Sequence, residues 1–256
     1  MDLGLKGKIA LVTGGSYGIG QAIARVLAEE GCRVAICARG IERLQQAAAG
    51  IMDGLAIPAD ATKPADIRRV IEVVTRTWGG LHILVNNVGG GGGRVSGSIE
   101  EVPEEKWLEA YERNALAAVR FTRLAIPHLR RAGWGRVVTI ASVQGKEGGG
   151  RPWYTMAKSA GISLMKTLAL NRELVRSGIT FNSIAPGRVI FDGNEWDQFR
   201  QEDPEHFAQA LDQRLPLGRA GTPGEVASAV AFVCSEPAAL INGACIAVDG
   251  GESHSF

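Results

Sequence analysis

Tyr154 and Lys158 stand four places apart in "GGGRPWYTMAK", just after a glycine-rich approach. Four residues is close to one helical turn, so the two side chains share a face and can act together. A phenol beside an ammonium can exchange a proton with a reacting oxygen, because the cation favours the phenolate. The same spacing also describes two polar positions on the wet face of a helix, and the pentapeptide alone leaves both readings open. A second stretch, "TGGSYGIG" at residues 13 to 20, follows an apolar β-branched run and precedes a helical pattern. In that context glycines allow a tight turn and close backbone approach to a pyrophosphate, with the helix N-terminus supplying free N–H donors. Gly14, Gly18 and Gly20 give G-x-x-x-G-x-G rather than G-x-G-x-x-G, and an ordinary strand-to-helix turn is the competing reading.

A dinucleotide site that grips a free ribose 2′-hydroxyl needs a carboxylate about 20 positions further on, at the end of the second strand. That place reads Cys37, Ala38, Arg39, and no carboxylate occurs from Gly31 through Ile41. A guanidinium there suits a 2′-phosphate, so NADP(H) is expected over NAD(H). The alternative is that Arg39 caps a strand end in water.

The elements that must position these residues are short apolar runs alternating with helical patterns. "KIALVTGG", "CRVAICAR", "GLAIPAD", "LHILVNNVGG", "GRVVTIAS", "ITFNSIAPG" and "ACIAVDGG" are nearly continuous in apolar character, as strands buried on both faces of a parallel sheet require. Periodic segments at 18–30, 63–78, 103–131, 153–176 and 223–234 read as helices. Seven strands alternating with helices predict an α/β fold with a single doubly wound, Rossmann-type parallel sheet and helices on both faces. No linker, low-complexity tract or internal repeat divides the chain, so one domain over 1–256 is expected. Residues 188–222 differ in texture, being charged and aromatic-bearing. They leave from a strand's carboxyl end, where ligands sit in open α/β sheets, and so form a candidate lid.

A chain of 256 residues can bury one large core. With 28 basic against 27 acidic side chains and no long run of one sign, it lacks the electrostatic footprint of a nucleic-acid or anionic-membrane binder. Cys32, Cys37, Cys234 and Cys245 form no C-x-x-C pair and have no His at ligand spacing, so no metal site and no disulfide framework is expected. No apolar stretch reaches the roughly 20 residues of a membrane span, and the expected location is the cytoplasm.

With "TGGSYGIG", "NNVGG" at 86–90, Ser142, "YTMAK" at 154–158 and "IAPG" at 184–187 in order, the chain resembles the short-chain dehydrogenase/reductase family, in particular its 3-oxoacyl-[acyl carrier protein] reductase-like members. The resemblance covers nearly the whole length. A Ser twelve residues before Tyr-x-x-x-Lys, at the end of a strand, is far more specific than any one glycine pattern. The resemblance implies interconversion of a small-molecule ketone and secondary alcohol, with a nicotinamide as redox partner. It implies Tyr154 as general acid/base, Lys158 lowering its pKa together with the oxidised nicotinamide, and Ser142 as the donor that polarises the carbonyl oxygen. Asn114 matches an Asn that holds a water on the proton route to the lysine, although a polar residue satisfying helix packing would look the same.

For the cofactor, Thr13, Gly14, Ser16, Tyr17, Gly18 and Ile19 match the phosphate and ribose loop. Asp60, with Ala61 beside it in "PADAT", matches the adenine position, where a helix N-cap is the competing reading. Asn86 and Gly89 match the strand end that flanks the adenosine ribose. Pro186, Gly187 and Val189 match the turn against the nicotinamide. The resemblance also implies a homotetramer built on helices 103–131 and 153–176.

Two departures stand out. Members that prefer NADP often carry a basic residue where this chain has Tyr17, and where the family commonly has a Thr contacting the carboxamide it has Phe191. Five consecutive glycines from Gly89 to Gly93 suggest a mobile loop bordering the substrate mouth. Gln144, Trp153, Trp196 and Phe199 are candidate substrate contacts or packing residues. Acyl thioesters, sugars or polyols, and hydroxysteroids all fit as substrates. A dinucleotide-binding sensor or scaffold without turnover is the alternative, though it would be expected to have lost the Ser, Tyr or Lys.

Overall fold

The seven apolar runs become seven strands of one sheet, and every neighbouring pair runs parallel. The computed structural model describes residues 1–90, 99–148 and 150–255. In chain order the elements are β1 (Ile9–Thr13), α1 (Gly18–Glu29), β2 (Arg33–Ala38), α2 (Ile41–Ala49), β3 (Leu55–Pro58), α3 (Pro64–Trp78), β4 (Ile83–Asn86), α4 (Glu104–Tyr111), α5 (Ala117–Ala132), β5 (Gly135–Ile140), α6 (Val143–Glu147), α7 (Pro152–Ala169), α8 (Arg172–Arg176), β6 (Ile179–Pro186), α9 (Glu195–Glu202), α10 (Pro204–Arg214), α11 (Pro223–Cys234) and β7 (Cys245–Val248). The strand order is β3-β2-β1-β4-β5-β6-β7. The chain winds outward from β1 in one direction, then crosses to β4 and winds outward in the other.

Alternate residues of each central strand feed opposite apolar layers, which is why the strands read as continuous rather than alternating. Ala10 and Val12 of β1 pack with Val34 and Ile36 of β2 under α1, α2 and α11. Ile9 and Leu11 pack with Ala35 and Cys37 on the other face, under α3, α5 and α7. Parallel pairing has one consequence for function. The carboxyl ends of β1, β2, β4, β5 and β6 all reach the same edge, so Gly14, Arg39, Asn87, Ser142 and Gly187, which follow them, share that edge.

Three segments differ from the sequence expectation. The helix predicted over 103–131 is interrupted by a π-turn at Glu112–Leu116, because the Asn114 side chain bonds the carbonyl of Ala110 and both backbone groups of Gly90. The helix predicted over 153–176 stops at Ala169, and the Asn171 side chain caps a separate turn by accepting from the N–H groups of Glu173 and Leu174. Residues 188–222 hold two helices, started by side-chain caps from Asn194 and Asp203. The segment closes back on itself through a parallel bridge between Val189 and Gly221. Gly91, Gly92 and Gly93 of the five-glycine run lie outside the described residues. The four cysteines are free thiols, and among the described residues no helix is long and apolar enough to cross a membrane.

At the opposite edge of the sheet His82 ties β4 to β1. Its Nδ1 accepts the N–H of Ile9 at 3.0 Å, so the ring is neutral there. Burial, reinforced by the nearby Lys8 ammonium, holds its pKa below the ordinary 6.5. His128 is lowered in the same way by burial and Arg131. A histidine with a depressed folded-state pKa contributes stability that is complete above 6.5 and is lost as pH falls from there toward the folded value. Urea denaturation at pH 7.5 and 5.5 is therefore expected to show a loss on acidification, and His82→Gln, which does not titrate, to flatten it. An equal loss in the variant would contradict this assignment.

Candidate active site

The crossover between β1 and β4 opens a crevice at the carboxyl edge, and two side chains hold its floor. The Thr13 hydroxyl donates to the carbonyl of Val85 at 3.3 Å and accepts the N–H groups of Asn87 and Val88 at 2.9 and 3.1 Å. The Asn87 amide donates to the carbonyls of Thr13 and Gly14 at 3.0 and 3.1 Å. These bonds lash the glycine turn to the end of β4. Gly20 completes the lashing from the helix side: a Cβ there would sit 2.3 Å from the Gly14 carbonyl oxygen, so only glycine lets α1 start this close to the turn. α1 itself has no side-chain cap and no acidic residue in its first turn. Its first N–H donors are left for an anion.

The resulting cleft, about 690 Å³, is lined by fifteen of the residues singled out from sequence. On the β1–β3 side these are Gly14, Ser16, Tyr17, Ile19, Arg39, Asp60 and Ala61; on the β4–β6 side they are Gly89, Ser142, Tyr154, Lys158, Pro186, Gly187, Val189 and Trp196. Asp60 does not cap α3, whose N-cap is Lys63. Instead its carboxylate closes a turn by accepting the N–H and hydroxyl of Thr62 at 3.0 and 2.7 Å. Those bonds, with Arg39 and Lys63 nearby, hold it below the usual carboxylate range.

Ser142, Tyr154 and Lys158 meet at the end of β5. Ser142 is the N-cap of α6, and its Oγ accepts the N–H of Gln144 at 3.3 Å. That leaves its own proton free for a second partner, and a bond from Ser142 favours the ionised form of the neighbouring Tyr154 phenol. Lys158, one turn along α7, is buried; its Nζ donates to the carbonyl of Ile140 at 2.9 Å and lies 5.6 Å from the centre of the Tyr154 ring. Burial pushes the Lys158 pKa down to about 8. Burial also raises the phenol of Tyr154 above its ordinary value; the Ser142 hydrogen bond and Arg151 oppose this, and Glu195 adds to it. The protein's own groups thus favour the protonated phenol, because desolvation outweighs the stabilisation of phenolate. This runs opposite to the lowering that the family resemblance implied, because burial of the phenol exceeds the opposing effects of Ser142 and Arg151.

Other residues fall beside the cleft rather than in it. Thr13 lies beneath it, and so does Asn86, whose amide donates to the hydroxyls of Thr122 and Thr139. Gly18 is covered by the ring of Phe191. The Asn114 side chain is committed to Gly90 and Ala110. Among the candidate substrate contacts only Trp196 lines the cleft. Trp153 is buried in a separate cluster with Val102, Ala110 and Trp107. Phe199 packs between Trp196 and Phe207 within the 188–222 segment. Gln144 opens onto a neighbouring hollow lined by Arg188, Glu252 and His254. Sequence reasoning missed Asn87, Arg43, Thr62 and Arg113 as lining residues. Asn87 was legible as the second Asn of "NN"; Arg43 was hidden because α2 was not recognised as an element.

The cleft fits a nicotinamide dinucleotide: uncapped helix donors beside a glycine turn, guanidinium at the end of β2, and a hydroxyl, phenol and ammonium at the far side. Residues 14–253 match the family described as enoyl-(acyl carrier protein) reductase. The chain belongs to the short-chain dehydrogenase/reductase family. It is similar to 3-oxoacyl-[acyl-carrier-protein] reductase from Vibrio cholerae, 36% identical over 97% of this chain and 98% of that one. It is equally similar to 4-formylbenzenesulfonate dehydrogenase from Comamonas testosteroni, 36% identical over 98% of this chain and 100% of that one. Among solved structures, L-sorbose reductase from Gluconobacter frateurii complexed with NADPH and L-sorbose superposes with a TM-score of 0.92 and 34% identity, covering all of both chains. As a member of this family the chain is an NAD(P)-dependent oxidoreductase acting on CH–OH and C=O groups.

Gly89 is where Asn114 and Lys158 converge. A Cβ there would lie 2.6 Å from the Asn114 Oδ1 and 2.9 Å from the Lys158 Nζ. Gly89→Ala is expected to lower the unfolding free energy by about 1 to 3 kcal/mol, the usual cost of overpacking, and to weaken dinucleotide binding by displacing the ammonium. Urea denaturation and a fluorescence titration would check both, and wild-type values in each would refute the crowding.

Proposed function

We propose that this enzyme interconverts a ketone and a secondary alcohol using NADP(H), with Tyr154 as the group that gives or takes the proton on oxygen. The observation that carries the reading is the meeting of Ser142, Tyr154 and a buried Lys158 in one cleft that also holds the glycine turn and Arg39. Gly14, Ser16, Tyr17 and Ile19 would hold the cofactor's phosphates and ribose, Asp60, Ala61 and Gly89 its adenosine, and Pro186, Gly187 and Val189 its nicotinamide. When bound, the cofactor supplies or accepts the two electrons of the reaction.

The chain's own groups do the rest. Ser142 donates a hydrogen bond to the carbonyl oxygen, polarising it as negative charge builds there. Tyr154 passes its proton to that oxygen, and its raised pKa keeps the proton in place until then. Lys158 stabilises the phenolate left behind, and burial strengthens that attraction by excluding water. Asn114 is a positioning residue that fixes the backbone of Gly90, next to the Gly89 that faces Lys158. Residues 188–222 act as the substrate lid on a single cofactor-binding domain, held to the start of α7 by an Arg151–Glu195 ion pair at 3.0 Å. An NADPH-consumption screen over 3-oxoacyl thioesters, ketoses and apolar ketones tests turnover and substrate class together. Tyr154→Phe is expected to lower kcat by about 10²-fold or more. Wild-type reduction rates should fall as pH rises through about 8, where Lys158 loses its charge. Unchanged turnover in the variant would overturn the assignment.

A homotetramer is part of this reading. α4, α5 and α7, with the chain flanking them, expose Leu108, Tyr111, Val119, Met156 and Leu170, apolar surface that copies of the chain would cover. Light scattering at micromolar concentration is expected to give four times the monomer mass, and a monomer would refute it.

A further inference from the structure

At the adenosine end of the cleft a second guanidinium stands beside the one expected from sequence. Arg43 lies in the first turn of α2, with its guanidinium 4.5 Å from the centre of the Tyr17 ring. Tyr17 also meets Phe191, their rings nearly perpendicular with centroids 5.2 Å apart. The tyrosine ring is thus packed against both a cation and an aromatic ring. Arg43 and Arg39 both line the cleft, together with Ser16.

Apart from its stacking on Tyr17, neither an ion pair nor the helix dipole explains this placement. A cation in the first turn of a helix opposes the macrodipole, where a carboxylate would be favoured. Neither Arg39 nor Arg43 has a carboxylate at ion-pair distance among the described residues. Asp60 bonds Thr62 and meets Arg39 only through the field of its charge. Two guanidiniums without a bonded carboxylate thus line one cleft, and a phosphomonoester offers the charge and the oxygens to engage both.

We propose that Arg43, propped on the ring of Tyr17, is a specificity-determining residue that binds the ribose 2′-phosphate jointly with Arg39. The inference rests on the NADP(H) reading above and deepens it. The phenol of Tyr17 makes no ionic contact with the phosphate; its ring sets the height and direction of the guanidinium.

The test is equilibrium binding, read by tryptophan fluorescence on the full chain, with NADPH, NADH, 2′,5′-ADP and 5′-AMP as probes. Wild type is expected to bind NADPH more tightly than NADH, and 2′,5′-ADP more tightly than 5′-AMP, by about 10-fold or more. Arg43→Ala should reduce both ratios by about 10-fold while leaving NADH affinity within about twofold, equivalent to about 1.4 kcal/mol confined to the phosphate. Tyr17→Phe, which keeps the ring, should retain the ratios, and Tyr17→Leu should lose much of them. Ratios unchanged in Arg43→Ala while wild type prefers the phosphate would overturn this proposal and leave the NADP(H) reading standing. A wild type without preference for either phosphate-bearing probe would overturn the reading itself.

Discussion

The contact that the remaining structure depends on is the pairing of β1 with β4, locked at its carboxyl end by Thr13 and Asn87. β1 lies in the middle of the sheet, and the chain leaves it on one side toward β2 and on the other side only after crossing back to β4. The loops on either side of that seam must diverge, and the gap between them is the cleft. Because all strands point the same way, Gly14, Arg39, Asn87, Ser142 and Gly187 each sit within a few residues of a strand end, and α7 brings Tyr154 and Lys158 to the same edge.

Burial at the far end of the cleft sets the chemistry. Taking an ammonium out of water is costly unless it finds partners, and Lys158 has one carbonyl partner in Ile140. Its lowered pKa reports that cost. The same dry surroundings make its charge felt strongly by a phenolate a short distance away. A protonated Tyr154 and a charged Lys158 are therefore a ground state in which the proton is available and its departure is rewarded. Were either side chain on the wet face of α7, neither half of that statement would hold. The glycine at position 89 matters for the same reason, since a side chain there would take the space between Lys158 and Asn114.

The strands were legible because a strand buried on both faces must be apolar throughout, and few other elements of that length satisfy this. Arg39 was legible from a strand boundary alone, whereas the Tyr154–Lys158 spacing left two readings open and Ser142 was singled out only through the family resemblance. What could not be read was anything that depends on which side of a loop a residue falls. Asn86 and Asn87 are adjacent, yet one is buried against Thr122 and Thr139 and the other lines the cleft. Trp153 precedes Tyr154 but projects into a cluster with Trp107, since neighbouring residues on a helix point about 100° apart. The break at Glu112–Leu116 was invisible because a π-turn costs no change in apolar periodicity on either side of it.

Phe191 joins these two ends of the molecule. It lies at the root of the 188–222 segment, covers Gly18 and meets the Tyr17 ring. Five residues further on, Trp196 lines the cleft beneath Arg188, whose own partner is Glu252 near the C-terminus. An aromatic ring cannot leave Gly18 without uncovering the first turn of α1 and withdrawing support from Tyr17. Any outward swing of the segment's root must therefore uncover Gly18 and remove the aromatic neighbour of Tyr17. A threonine at 191 would provide no such ring.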